Sequence, residues 1–189
     1  MTGAGGGRVL VAGVGNVFLG DDGFGVAVVQ RLLTAGPPDD ALPETVDVAD
    51  YGIRGVHLAY DLLDGRHHAL VLVDALPLDE PPGTLAVLEV DVDDPGWTLR
   101  PADALDAPAA DGHGMDPESV LRLLRSLGGR VDRVVVVGCQ PALVEERMGL
   151  SEPVEQAVGE AVALVSTVAR EQASLLVRQD AEGTVGARA

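Results

Sequence analysis

Three sets of side chains in this sequence are placed to do chemistry. Asp21 and Asp22 stand side by side in VLVAGVGNVFLGDDGFG (9–25), after a short apolar run and a glycine turn. Asp74 ends the apolar run ALVLVD, and His113 sits between glycines in DGHGM. Two carboxylates and one imidazole are a workable shell for a divalent transition metal with open positions. The residues alone leave open which of Asp21 and Asp22 takes part. Asp21 is expected to cap the helix that follows. Asp22, one position further in, is favoured by the helix dipole but is not needed for the cap. Asp74 has no packing reason to be charged at the end of an apolar run.

Positioning such groups requires a sheet. Short apolar runs recur at Arg8–Val14, Thr45–Ala49, Ala69–Asp74, Thr84–Val90 and Arg133–Cys139. The runs ALVLVD and RVVVVG are continuous rather than alternating, so their strands should be covered on both faces. Helical stripes lie between them. Val26, Val29 and Leu33 follow Asp22, and Val56 to Leu63 ends near Gly65. Pro117 opens a stripe of Val120, Leu121, Leu124 and Leu127, stopped by Gly128-Gly129. In the last helix Ser151 is the expected N-cap and Pro153 lies just inside. Strands alternating with helices predict an α/β domain with a mostly parallel sheet. The linker PLDEPPG is too short for a helical crossover, so the strand after it should be antiparallel and the sheet mixed. Ligands in such sheets bind beyond the carboxyl ends of the strands, where Asp22, Asp74 and Cys139 all emerge.

One domain over residues 8–178 is expected, with flexible tails at 1–7 and 179–189. The segment 91–112 is too long for an ordinary connection and is expected to cross the sheet edge and carry His113 into the site.

Composition narrows the function. The chain has 189 residues, 47% apolar but only 3% aromatic, so Val, Leu and Ala must fill its core. A net charge of −17, with Arg as the only strong base, argues against nucleic acid and against an anionic membrane surface. No apolar run reaches the roughly 18 residues of a membrane span. The glycine-rich start MTGAGGGR lacks a signal-peptide core, and a cytoplasmic location is expected. The single cysteine, Cys139, excludes an intrachain disulfide and reads as a buried thiol. His57 sits in the short helical stripe without a partner in sequence, and His67 and His68, which precede a strand, are expected to face solvent. GVGN invites a dinucleotide reading, but the third glycine is missing from its register and acids stand where a pyrophosphate would want amides. HExxH, GxSxG and the Asp-Thr-Gly or Asp-Ser-Gly triplets are absent.

With these residues assembled, the sequence resembles the [NiFe]-hydrogenase maturation endopeptidases from Val9 to about Leu164. The resemblance rests on GVGNVFLGDDGFG, YGIRG (51–55), VDAL (73–76), DGHGM (111–115), and VGCQP followed by GLSEPV. It implies a three-layer α/β/α sandwich around a mixed, mostly parallel five-stranded sheet. It also implies a peptidase, grouped with the aspartic type, that removes the C-terminal extension of the hydrogenase large-subunit precursor once nickel is in place. The family's metal-binding trio maps onto Asp22, Asp74 and His113, with nickel supplied by the precursor. In many members the first acid is Glu, one methylene longer than Asp22. Asp22 and Asp74 are the catalytic candidates, polarising the attacking water with or without the metal. The Gly52–Gly55 turn, with Gly52, Arg54 and Gly55, is the candidate substrate contact, Arg54 reaching a tail carboxylate or backbone oxygen. The alternatives are a noncatalytic nickel-binding maturation chaperone and an α/β hydrolase of the peptidyl-tRNA hydrolase type.

Overall fold

In the computed structural model, residues 7–93 and 117–186 are described. β1 (Arg8–Val14) runs into a 3-10 turn (Gly20–Gly23) and α1 (Phe24–Ala35). β2 (Val46–Gly52), α2 (Gly55–Leu62), β3 (His67–Ala75) and β4 (Leu85–Val90) follow. α3 (Pro117–Ser126), β5 (Arg133–Cys139) and α4 (Glu152–Gly186) complete the chain.

The sheet order is β2-β1-β3-β5-β4. β1 pairs in parallel with β2 and β3, and β3 with β5, whereas β4 runs antiparallel to β5 at the edge. The mixed, mostly parallel five-stranded sheet expected from sequence is therefore present, with the reversal at the strand after PLDEPPG.

The continuous apolar runs are continuous because each strand feeds two cores. Val9 and Val11, Val71 and Val73, and Val135 and Val137 join α1 and α4 on one face. Leu10 and Ala12, Leu70 and Leu72, and Val134 and Val136 join α2 and α3 on the other. Side chains alternate across a strand, so a strand roofed on both sides has no position for a polar residue until its end. Asp74 is that end on β3.

Three expectations are corrected. The chain remains helical to Gly186, so the tail expected from 179 is helical backbone over most of its length; Ala181 and Glu182 are good helix formers. Leu33 is exposed and Leu32 takes the buried place in the α1 stripe. His67 does not face solvent: it opens β3, is 5% exposed, and its Nε2 lies 2.9 Å from Asp47 Oδ2.

Candidate active site

β1, β2, β3 and β5 end on one edge of the sheet, and the site is built there. The chain leaves β1 at Gly13-Val14-Gly15, turns through Asn16–Leu19, and enters the 3-10 turn. Two glycines allow the turn to sit against the strand ends. At Gly15, φ is +126° and a Cβ would overlap the carbonyl oxygen of Asp22. A Cβ at Gly25 would overlap the carbonyl oxygens of Val14 and Val73. The start of α1 is thus pressed onto the ends of β1 and β3, one residue before Asp74, and the 3-10 turn packs against β3.

The adjacent aspartates have separate environments. Asp22 is half-buried, and its Oδ2 accepts one hydrogen bond, 2.6 Å from the Asn16 amide. Burial pushes its carboxyl above the ordinary range, and that single donor opposes the shift only in part. Asp74 is 7% exposed, and its Oδ1 accepts the Ala75 amide at 2.9 Å.

Asp21 does not cap α1, as the sequence suggested; neither the 3-10 turn nor α1 has a side-chain cap. It is fully buried and faces the loop between β5 and α4. Oδ2 accepts the amides of Ala142 (2.8 Å) and Leu143 (3.0 Å) and the Ser151 hydroxyl (2.8 Å). Oδ1 accepts the Ser151 amide at 2.6 Å. Burial alone would raise this carboxyl; the donors outweigh it and hold it below the ordinary range. Ser151 does occupy the position before α4, but its hydroxyl is spent on Asp21.

The Gly52–Gly55 turn borders the same edge. Gly52 has φ +51°, and its carbonyl accepts the Gly15 amide at 3.1 Å. Gly55 is buried at the start of α2. Arg54 is exposed, and its guanidinium folds back onto its own turn: Nε donates to the Tyr51 carbonyl (3.2 Å) and Nη2 to the Asp50 carbonyl (2.7 Å). Its remaining N–H groups are available to a ligand.

The structure therefore brings Asp22, Asp74 and the Gly52–Arg54–Gly55 turn to one edge. His113 lies outside the described residues, as does most of the 91–112 segment. Among the described residues, no three His, Cys, Asp or Glu side chains converge as a metal site. Cys139 is fully buried, and burial pushes its thiol up to about 12, so it is an inert strand-end thiol.

Two contributors escape sequence reading. Asn16 holds Asp22 with its amide while its Oδ1 accepts the Phe18 amide at 3.0 Å, a small side-chain turn for which the Asn after Gly15 was the available signal. Ser151 anchors Asp21 across the fold and left no signal beyond its place before a helix.

The family model for hydrogenase maturation protease (HycI) matches residues 26–168, most of the chain. The chain belongs to the hydrogenase maturation protease family. The Hydrogenase 2 maturation protease of Escherichia coli is 31% identical over 165 residues, 87% of this chain and 92% of that protein. The solved structure of the E. coli hydrogenase maturating endopeptidase HybD superposes with TM-score 0.67 at 29% identity, covering 87% of this chain and 93% of that one. A hydrogenase 2 maturation peptidase from a Thaumarchaeota archaeon is 34% identical, with TM-score 0.58 over 84% of this chain and 95% of that one. These solved relatives share the α/β sandwich, and this hydrogenase maturation protease is a peptidase. No helix among its described residues is long and apolar enough to cross a membrane.

Proposed function

We propose that this maturation protease removes the C-terminal extension of a nickel-loaded [NiFe]-hydrogenase large-subunit precursor. The observation that carries the reading is Asp22: a carboxylate with one donor and a raised pKa, held beside the end of β3 where Asp74 emerges. A group in that state gains most from a cation brought by the substrate.

Asp22, Asp74 and His113 are the side chains that would meet nickel held in the precursor. Two hard carboxylates and an imidazole, without thiolate, bind modestly by themselves and suit a metal that arrives with ligands of its own. Either Asp22 or Asp74 accepts a proton from the water that attacks the scissile carbonyl. The nitrogen of the departing peptide takes up a proton as the bond breaks. The Gly52–Gly55 turn lets the substrate backbone come close, and Arg54 offers its remaining N–H groups to a tail oxygen.

Mass spectrometry of precursor incubated with the protein tests this. The nickel-loaded precursor should lose a C-terminal peptide while the nickel-free form stays intact. An unchanged mass of the nickel-loaded form would favour the noncatalytic nickel-binding chaperone. Cutting of nickel-free precursor in chelator would remove nickel from the mechanism.

A further inference from the structure

The chain has two phenylalanines, and the fold treats them oppositely. Phe24 is fully buried at the start of α1, whereas Phe18 is 63% exposed in the loop leaving β1. Met148, in the loop between β5 and α4, is 69% exposed. Val17 and Val144 on the same two loops are exposed as well.

These loops are joined. The Arg147 amide donates to the Phe18 carbonyl at 3.0 Å, and the Gly20 amide to the Arg147 carbonyl at 2.9 Å. Leu19 and Arg147 form a parallel bridge, so Phe18 stands one residue before the bridged pair and Met148 one residue after it. The foot of the second loop is fixed by the four donors from Ala142, Leu143 and Ser151 to buried Asp21. The rim also adjoins the candidate catalytic carboxylate. Asn16, two residues before Phe18, donates its amide to Asp22, and a Cβ at Gly23 would lie 3.1 Å from Val17 Cα.

We propose that Phe18 and Met148, flanked by Val17 and Val144, form a docking rim for an apolar segment of the protein substrate next to the bond to be cut. A peptidase must hold a polypeptide across its carboxylates, so the substrate chain has to cross whatever borders them. Exposed aromatic and Met side chains on a fixed backbone are what protein recognition uses: the aromatic ring buries a large area with few rotatable bonds, and Met adapts its shape to the surface it meets. The assignment rests on the reading that the substrate is the large-subunit precursor.

The test uses the full chain carrying Phe18→Ser and Met148→Ser together. Both side chains are exposed, so the melting temperature should stay unchanged. Cleavage of nickel-loaded precursor is followed by mass spectrometry with enzyme in excess over a range of concentrations. The half-saturating enzyme concentration should rise at least tenfold while the maximal rate stays within about twofold. Val177→Ser, at an exposed apolar position on α4, should change neither. An unchanged half-saturating concentration overturns the rim, and so does a fall in maximal rate alone. Binding of precursor to Asp22→Asn enzyme, with and without the rim substitutions, separates the two ideas. If wild-type enzyme leaves the precursor uncut, the proposed function fails. Weaker binding on rim substitution still supports docking, and equal binding or none at all ends it.

Discussion

The two edges of the sheet treat a carboxylate in opposite ways. At the amino edge, Asp47 receives Arg8 through two hydrogen bonds of 2.7 Å, and His67 from the start of β3. The Arg8 hydrogen bond, with smaller help from His67, lowers the Asp47 carboxyl to about 2. At the carboxyl edge, Asp22 has one amide donor, and burial raises its carboxyl instead. The first edge has settled its charge inside the chain. The second holds a carboxylate that the fold penalises, which is the condition in which an incoming cation or proton is most strongly felt. Asp21, one residue from Asp22, shows what donors do: inaccessible to solvent but reached by four of them, its carboxyl is lowered.

The widest break in the comparison comes from removing the two carboxylates at the carboxyl edge. Asp22→Asn and Asp74→Ala should each reduce precursor cleavage by about 10²–10⁴-fold, the span of a lost general base. Asp22→Asn should melt at or above the wild-type temperature, because it deletes a buried charge with one donor. Cleavage within tenfold of wild type for either variant would take that carboxylate out of the mechanism.

Next in size is Asp21→Ala. A helix cap would lose about 0.5–2 kcal/mol. The observed knot predicts about 3–5 kcal/mol, because the amides of Ala142, Leu143 and Ser151 lose a charged acceptor together. Urea titration decides between the two. A loss inside the cap range would mean that the loop between β5 and α4 holds itself without Asp21.

Gly25→Ala sharpens the link between packing and site. A Cβ there must displace both the Val14 and the Val73 carbonyl, at about 1–3 kcal/mol or more for an overpacked contact. The same displacement shifts the 3-10 turn relative to Asp74, so cleavage should fall further than stability alone explains. Full cleavage by a destabilised but folded variant would separate α1 seating from catalysis.

What could be read in the sequence follows from how local its causes are. Period and run length are local, so β3 and β5 showed themselves as doubly covered strands, and PLDEPPG announced the antiparallel edge. Asp22 and Asp74 could be placed at one edge because parallel strands share an exit. Asp21 could not be read correctly: its partners lie 121–130 residues away, and most are backbone amides, which carry no side-chain signature. A cap was the available local explanation and the wrong one. His67 was missed for a similar reason: its partner Asp47 is 20 residues back on β2, with β1 lying between the two strands in the sheet. Asn16 was halfway legible, since a small polar residue after glycine signals a turn but not which carboxylate the turn holds.

The smallest expected effect lies at the amino edge. Asp47 is depressed in the folded state, so its contribution is fully present above the ordinary carboxylate value of 3.8 and is lost as pH falls toward about 2. Its side chain is 41% exposed, and solvent screening limits the pair to about 1 kcal/mol or less. Asp47→Asn should therefore melt slightly below wild type at pH 7 and converge with it as pH falls through the 4–2 window. High salt at pH 7 should narrow the difference in the same direction, because an exposed pair is screened. Precursor cleavage at pH 7 should be unchanged, since Asp47 stands at the edge of the sheet opposite the site. A loss of cleavage without a loss of stability would show that the two edges are coupled. The division between a charge settled within the chain and a charge kept for the substrate would then have to be abandoned.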